Sequence, residues 1–315
     1  MREKPIQALG LFLLLTAAGF AVADLARGES VLKEASPGAV RSASSTDGVF
    51  PLAGSHQAPA EWLGLSGRLR AVIETPETIR QLVDFRLASV ADAAAPGMHD
   101  LGLVTPDGDP FYVVSLVPYT EKQGNAIRGY LVGSWPQNVA AARYAHPAGF
   151  IEVTPENQGT PVSSHFKLQD FVTHDQGSVW PKYLVLKPRL IDKLELITEA
   201  LAARGLPSKL HVMSGFRTPQ YNEQGVGSRG GRARMSRHMY GDAADVFVDE
   251  DGNGIMDDLN HDGRSSYDDA QVLFRVAESV EAAHPDLVGG LSPYRASAAH
   301  GPFVHVDARG TKARW

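Results

Sequence analysis

An amphipathic helix followed by short apolar strands constrains the fold of the C-terminal half most strongly. The stretch KPRLIDKLELITEALAARG, residues 187–205, puts apolar side chains on one helical face and ends at a glycine. These side chains belong to Leu190, Ile191, Leu194, Ile197 and Leu201. The stretches KLHVMSG, DAADVFV and GPFVHVDARG read as short buried strands, and residues 268–283 predict a second helix. The pattern predicts an α+β domain, in which a small antiparallel sheet carries helices on one side.

The whole chain has 315 residues, which is enough for about two domains. Residues 1–23 combine a basic start, an apolar run and small residues before Asp24, and they predict a signal peptide. An uncleaved membrane anchor is the alternative, because the apolar run approaches the ~20 residues that span a bilayer. In both cases we expect the remaining chain outside the cytoplasmic membrane, in the periplasm or cell envelope.

Composition divides the rest of the chain. Residues 24–65 are rich in Ser, Ala, Gly and Pro and predict a flexible linker. Residues 66–150 predict an accessory β-rich domain, with two strands around the turn at residues 122–125. Residues 151–315 form the predicted α+β domain, interrupted by an acidic insertion at 249–269.

Charge and cysteine content limit the possible ligands. The formal net charge of −6 gives no general attraction to nucleic acid, so we expect no nucleic-acid partner. The chain contains no cysteine, which excludes disulfides and thiolate metal sites. A metal ion must therefore be bound by nitrogen and oxygen atoms.

Two histidines and one aspartate fall on the predicted strands and the loop before them. His238 precedes the strand that carries Asp245, and His305 lies in a strand that can pair with it. A surface histidine and a strand-end carboxylate are the alternative for the first two residues taken alone. Two imidazoles and one carboxylate are a normal ligand set for catalytic zinc, with water in the fourth position.

The motif SRHMYGDAAD, the later HVD at residues 305–307, and SGFRTPQYN at 214–222 together resemble the zinc D-alanyl-D-alanine carboxypeptidase family of peptidoglycan peptidases. SSHFKLQDFVTHD at 163–175 is similar to the entry segment of that family. The resemblance covers residues 163–315 and implies a carboxypeptidase/hedgehog-like fold. It implies that His238, Asp245 and His305 bind zinc and that Arg217 binds substrate near the metal. For Arg217, a structural role in its own loop is the alternative.

The chain departs from this family at one position. Well-known members carry an acidic general base three residues before the last zinc histidine, where this chain has Pro302. His300 and Asp307 are the candidate substitutes: His300 to stabilise an oxyanion or carry a proton, and Asp307 to act as a base. Asp307 has a second interpretation, as the partner that orients His305.

The acidic insertion matches the calcium-binding loop of EF-hands twice. Seven Asp, one Glu and one Arg give residues 249–269 a net charge of −7. The predicted structural calcium ligands, including backbone carbonyls at the seventh positions, are Asp249, Asp251, Asn253, Ile255 and Asp257 in the first loop and Asp258, Asn260, Asp262, Arg264 and Asp269 in the second. A solvated acidic hairpin is the alternative. The arginines of RGGRARMSR, residues 229–237, predict either a solvated loop or a basic rim for substrate carboxylates.

These features predict an exported zinc metallopeptidase, a hydrolase of peptide bonds in peptidoglycan stems or cross-links. The alternative is a catalytically inactive peptidoglycan-binding module stabilised by zinc and calcium. A third possibility is a calcium-dependent interaction protein. The sequence leaves open whether the enzyme is a carboxypeptidase or an endopeptidase, and whether it cleaves D,D or L,D bonds. We expect membrane contact only if residues 1–23 stay attached.

Overall fold

The computed structural model describes residues 56–83, 93–136, 142–227 and 231–315. The predicted signal peptide, most of the predicted linker and Arg229 of the basic stretch lie outside the described residues. Pro51–Trp315 form one compact unit. Within the described part of the chain, no helix is both long enough and apolar enough to cross a membrane.

The first elements build a four-stranded sheet. They are β1 (His56–Gln57), β2 (Ala71–Glu74), α1 (Pro76–Val83), β3 (Gly97–Val104) and β4 (Pro110–Ser115). The strand order is β1-β3-β4-β2, with β3 and β4 antiparallel and the two outer pairs parallel. Ile79 of α1 packs with Phe111 and Val113 of β4 in a small core of its own.

A second set of short strands follows. These are β5 (Val117–Pro118), β6 (Ala126–Ile127), β7 (Tyr130–Leu131), β8 (Gly149–Val153) and β9 (Lys182–Leu184). Strands lie on both sides of the predicted turn at 122–125, but they do not pair with each other. Instead β6 pairs with β7, and β5 joins the antiparallel sheet β5-β8-β9. The predicted Gly-containing turn is present, since Gln123 and Ala126 exchange backbone hydrogen bonds across it at 2.8 and 3.0 Å, but the strands before and after it belong to different sheets.

The C-terminal elements follow the predicted order closely. They are α2 (Pro188–Ala202), β10 (Leu210–Ser214), α3 (Pro219–Glu223), β11 (Ala243–Val248), α4 (Tyr267–Ala283), β12 (Gly290–Tyr294), β13 (Phe303–Asp307) and β14 (Ala313–Arg314). All five apolar residues predicted for the inner face of α2 are buried. The predicted strand and helix positions of this half are therefore confirmed.

The five-stranded sheet β10-β11-β13-β12-β14 has two unlike faces. Its pairs are antiparallel except for the parallel pair β12 and β14. Val246, Val304 and Val306 belong to the core formed with α2 and α4, and α4 packs against β11, β12 and β13. Since side chains alternate along a strand, Asp245, His305 and Asp307 lie on the opposite face. The α+β class is confirmed, and the hedgehog-like assignment stays a prediction.

The predicted accessory and peptidase segments share one core. Leu69, Val114 and Trp135 belong to the same buried cluster as Leu194 and Val306. Residues 56–65, where a linker was expected, include β1 and the buried side chains of Ala58 and Leu63. The domain boundary at residue 150 stays a prediction, but the two segments pack against each other without an intervening linker.

A buried ion pair connects α2, α4 and β13. The ammonium of Lys193, fully buried, lies 2.5 Å from Glu281 Oε1 and donates to the carbonyl of Asp307 at 2.6 Å. Glu281 also accepts from the backbone N–H of Gly289 and pairs with Arg314. Burial lowers the pKa of Lys193, and the attraction of Glu281 opposes this shift. The pair holds the end of β13, two residues beyond His305, against the helices.

Replacing Lys193 by Met should test this ion pair. The change removes an ammonium and leaves the Glu281 carboxylate with one cationic partner fewer, so we expect the free energy of unfolding to fall by about 3 kcal/mol. Chemical denaturation measures the change. Arg68→Met is the control, since Arg68 pairs with Glu199 on the surface, where such a pair contributes under about 1 kcal/mol. Equal effects of the two substitutions would contradict the structural role of Lys193.

Candidate metal centre

Three buried side chains from three elements converge on the open face of the sheet. His238 lies in a 3-10 turn, Arg237–Tyr240, while Asp245 and His305 face each other across β11 and β13. His305 Nδ1 lies 2.9 Å from Asp245 Oδ1 and 3.2 Å from His238 Nε2, and His238 Nε2 lies 3.2 Å from Asp245 Oδ1. The structure thus brings the three predicted zinc ligands together, although His305 lies 60 residues beyond Asp245 in the sequence.

The spacing of these three donor atoms suits a tetrahedral zinc site. Zinc holds nitrogen and oxygen ligands at about 2.0–2.2 Å, which puts neighbouring ligand atoms of a tetrahedron about 3.3–3.6 Å apart. The three distances of 2.9–3.2 Å are slightly shorter than this edge length. A small outward movement of the side chains would therefore accommodate the ion, and the donor set of two imidazoles and one carboxylate is the one that zinc uses.

Hydrogen bonds on the far side of each imidazole fix which nitrogen faces the centre. His238 Nδ1 lies 2.7 Å from the carbonyl of Gly215, and since a carbonyl only accepts, Nδ1 carries the proton. His305 Nε2 lies 3.3 Å from Asp307 Oδ2. Each histidine thus keeps the lone pair of its other nitrogen for the centre.

Asp307 lies behind His305, on the side of the ring away from the other two ligands. Its side chain is fully buried, and its oxygens accept from the backbone N–H of Gly290 at 2.8 Å and from Arg309 Nε at 2.8 Å. Burial opposes ionisation, but His305 and Arg309 outweigh it and hold the pKa of Asp307 far below its usual range. A Cβ on residue 290 would lie 2.3 Å from Asp307 Oδ2, so only glycine permits this approach.

Arg217 contacts Asp245, the carboxylate of the triad formed by His238, Asp245 and His305. Its Nη2 pairs with Asp245 Oδ2, and its Nε donates to Ser214 Oγ at 2.9 Å. Burial opposes ionisation of Asp245, yet His238 and His305 outweigh it and hold its pKa well below the ordinary value. Burial lowers the pKa of His238. Burial also acts to lower the pKa of His305, but hydrogen bonds that its ring donates to the Asp245 and Asp307 carboxylates outweigh this and raise it.

His300 and Pro302 lie just before β13. Pro302 is buried and has no group that accepts or gives a proton. His300 Nδ1 donates to the carbonyl of Gly301 at 2.8 Å, and the ring meets the face of Phe303 edge-on. The hydrogen bond to Gly301 places the proton on Nδ1 and leaves His300 Nε2 as the nitrogen with the lone pair.

The turn that carries His238 is held by residues from before position 150. Trp135 Nε1 donates to the carbonyl of Met239 at 2.8 Å, and Arg237 Nη1 donates to the carbonyl of Arg143 at 2.6 Å. Gly241 ends the turn at a φ of 67°, and a Cβ there would lie 2.3 Å from the carbonyl oxygen of Val185. Nothing in the sequence connected Trp135 with the site.

Arg237 does not belong to a basic rim. Its side chain is buried and pairs with Asp242, with Nε donating to Oδ1 at 2.9 Å. Arg232 lies over the ring of Tyr221, and Arg234 is exposed.

The two acidic loops adopt the same local conformation. The Asp249 carboxylate accepts from the N–H groups of Asn253 and Gly254, as Asp258 does from Asp262 and Gly263. Carboxylate oxygens of Asp249, Asp251 and Asp257 lie within 4.8 Å of one another. The carboxylates at the first positions therefore accept equivalent backbone hydrogen bonds in both loops.

Asp269, at the twelfth position of the second loop, also accepts backbone hydrogen bonds. Asp269 Oδ1 accepts from the N–H of Leu259 at 2.8 Å, and Oδ2 accepts from the N–H of Ser266 at 2.7 Å, which caps α4. Of the remaining predicted positions, Asn260 and Asp262 accept backbone hydrogen bonds within the loop, and Ile255 and Arg264 are exposed. Calcium binding stays a prediction.

Comparison with known proteins finds a match to part of the segment that holds this site. Residues 162–254, less than a third of the chain, match a family model described as peptidoglycan L,D-endopeptidase MepK. The match includes Arg217, His238 and Asp245 and ends before His305. It confirms the resemblance of the C-terminal half to the zinc D-Ala-D-Ala carboxypeptidase-like family. No curated protein and no solved structure gives a significant match.

The contact between Trp135 and the turn of His238 should affect metal binding. Trp135→Phe removes the N–H that satisfies the carbonyl of Met239, so we expect a loss of about 1–3 kcal/mol of stability. We also expect the affinity for zinc to fall roughly tenfold, which is typical when a residue that orients a metal ligand, without contacting the metal, is replaced. Denaturation and chelator competition measure the two effects. Trp62→Phe is the control, because Trp62 stacks on Phe111 in the small core; the same loss of zinc affinity there would argue against a specific contact.

Calcium should stabilise the protein if the acidic loops bind it. A ligand that binds only the folded state adds about 2.7 kcal/mol at a hundredfold excess over its Kd. We expect calcium, and to a lesser degree magnesium, to raise the unfolding midpoint, and Asp258→Asn to reduce this rise. Asp268→Asn makes the same charge change at a helix position outside the predicted ligands. Calorimetry that shows no calcium effect, or equal effects of both variants, would support the solvated hairpin instead.

Proposed function

We propose that the protein is an exported zinc metallopeptidase that cleaves an L,D peptide bond in peptidoglycan stem peptides or cross-links. The family match indicates a peptidoglycan peptidase. The observation that carries the zinc proposal is the approach of His238 Nε2, Asp245 Oδ1 and His305 Nδ1 to within 3.2 Å of one another. Action on peptidoglycan places the protein in the cell envelope, with peptidoglycan as its partner.

His238, Asp245 and His305 would hold the ion. When bound, zinc lowers the pKa of a ligated water to about 7 and polarises the carbonyl of the scissile bond. His238 and His305 have fixed tautomers, because His238 Nδ1 donates to the carbonyl of Gly215 and His305 Nε2 donates to the carboxylate of Asp307. This arrangement requires no rotation of either ring when the metal binds.

Asp307 and Arg217 have positioning roles in this proposal. Both Asp307 oxygens are engaged by Gly290, Arg309 and His305, so the carboxylate orients His305 rather than accepting a proton from water. Arg217 holds Asp245 through Nη2. The same guanidinium lies beside the centre and has a fixed positive charge, which suits the grip on a substrate carboxylate that the family resemblance implies.

His300 is the proposed carrier of the proton that well-known relatives move with an acidic side chain. Its Nδ1 donates to the carbonyl of Gly301, so its Nε2 is free to accept a proton and pass it to the leaving amine. Pro302, at the position of the acid, takes no part in proton transfer. The ring is partly buried and packs against Phe303, two residues before His305.

Pro302 also supports a second candidate function. Without the acid, the site would hold zinc and bind peptidoglycan as a structural module that hydrolyses nothing. A calcium-dependent interaction protein is the third candidate, in which the acidic loops rather than the triad would do the binding.

Incubation of the purified protein with cell-wall sacculi separates these functions. We expect soluble muropeptides whose masses correspond to cleavage of L,D bonds, and their loss after chelation of zinc. Binding without release would support the inactive module, and binding that needs calcium alone would support the interaction protein. Mass spectrometry of the released fragments identifies the bond.

His305→Ala should lose both bound zinc and hydrolysis. This substitution removes a predicted metal ligand itself. We therefore expect activity to fall by more than the roughly 100-fold that can follow replacement of a residue that only hydrogen-bonds to a ligand. His211→Ala is the matched control, since His211 lies on β10 and packs against Phe247. Zinc content, circular dichroism and muropeptide release are measured for both. Full hydrolytic activity of His305→Ala would refute the proposed mechanism.

A further inference from the structure

The last strand fixes an exposed tryptophan beside the metal centre. β14 pairs with β12, and Arg314 is tied to α4 by ion pairs with Glu281 at 2.5 Å and Glu278 at 3.0 Å. The carbonyl of Trp315 accepts a hydrogen bond from Ser292 Oγ. These contacts fix the backbone of Trp315 from both the sheet and the helix.

The indole itself is held in one orientation although 56% of the residue is exposed. Its Nε1 donates to Tyr294 Oη at 2.5 Å, and the guanidinium of Arg309 lies 5.6 Å from its centroid. The ring centroid lies 5.2 Å from that of His305. A large apolar ring kept in water has a hydrophobic cost, and one that is held beside a metal ligand marks a binding surface better than one on a free loop.

The aromatic surface continues along β12 and β13. Tyr294 and Phe303 are paired across the strands and stack with centroids 4.6 Å apart and planes 4° from parallel. Trp315, Tyr294 and Phe303 thus form a wall on one side of the triad, which we call the aromatic wall. It offers the exposed indole of Trp315 and the partly exposed ring of Tyr294, while Phe303 is buried against Tyr294 and the Arg309 guanidinium lies over the indole.

The other side of the triad carries a cation, Arg217, which pairs with Asp245. Arg217 follows β10, at one edge of the five-stranded sheet, and Trp315 follows β14, at the other edge. The strands of the triad, β11 and β13, lie between them. A peptide that crosses the sheet over the centre therefore meets a cation on the β10 side and the aromatic wall on the β14 side.

We infer that Trp315 is a specificity-determining residue that contacts the uncharged, aliphatic part of the peptide substrate on the β14 side of the scissile bond, while the carboxylate-bearing part lies toward Arg217. This inference rests on the proposed function. The indole supplies contact area that is already ordered before the substrate binds, because its backbone and its N–H are both fixed. Loss of the ring should therefore weaken substrate binding more than it slows the chemical step.

Trp315→Ala and Trp315→Phe in the full-length, zinc-loaded protein test this role. The substrate is a soluble cross-linked muropeptide, and the binding probe is a peptide of the same sequence with a reduced scissile bond. We expect Trp315→Ala to raise the KM and the Kd of the probe by about tenfold, with kcat changed by less than about threefold. Trp315→Phe should recover most of the affinity, because it restores a flat apolar face.

Trp180→Ala is the matched control, since Trp180 is also a partly exposed tryptophan but contacts Lys182 rather than the triad. Zinc content and the unfolding midpoint of each variant are measured alongside. An unchanged Kd and KM in Trp315→Ala would overturn the inference, and so would a loss of zinc, which would make Trp315 a support of His305. Wild-type protein that neither binds nor cleaves the muropeptide would overturn the proposed function together with it. Wild-type activity with an unaffected Trp315→Ala would overturn the role of Trp315 alone.

Discussion

The site depends on one buried carboxylate. Asp245 is only 6% exposed, and an ionised carboxylate in such a place is stable only if cations and hydrogen-bond donors surround it. Oδ1 contacts both His238 and His305, and Oδ2 contacts Arg217. The segments that carry Arg217, His238 and His305 must therefore all reach β11. The same contacts that stabilise the carboxylate assemble the predicted metal ligands.

Alternation along the central strands separates chemistry from packing. Val304 and Val306 enter the core with the helices, while His305 and Asp307 lie on the open face. A shift of β13 by one residue would bury the histidine among the helices and expose the valines, so the register is fixed by the core and by the site together. Lys193 adds a further restraint, since it reaches through the helical side to the carbonyl of Asp307.

Local features were the predictable part of this protein. The period of α2, the strands around Asp245 and His305, and the glycine after the turn of His238 are all encoded over a few residues. The aromatic contacts were not predictable, because Trp135 and Trp315 reach the site only through tertiary packing, which no short sequence pattern indicates. Asp307 shows an intermediate case: alternation placed it on the face of His305, but only the contacts with Gly290 and Arg309 reveal that its oxygens are already engaged. The turn at 122–125 was also predictable, but the sheet that each flanking strand joins was not, because strand pairing is decided over long distances.

The segment before residue 150 takes part in the architecture of the metal centre. Arg237 is buried, and it needs both Asp242 and the carbonyl of Arg143 to satisfy its guanidinium. Trp135 satisfies the carbonyl of Met239 from the same direction. Without these two contacts, one N–H of the buried Arg237 and the carbonyl of Met239, on either side of His238, would lack partners. The position of His238 therefore depends partly on a segment that contributes none of the three predicted metal ligands.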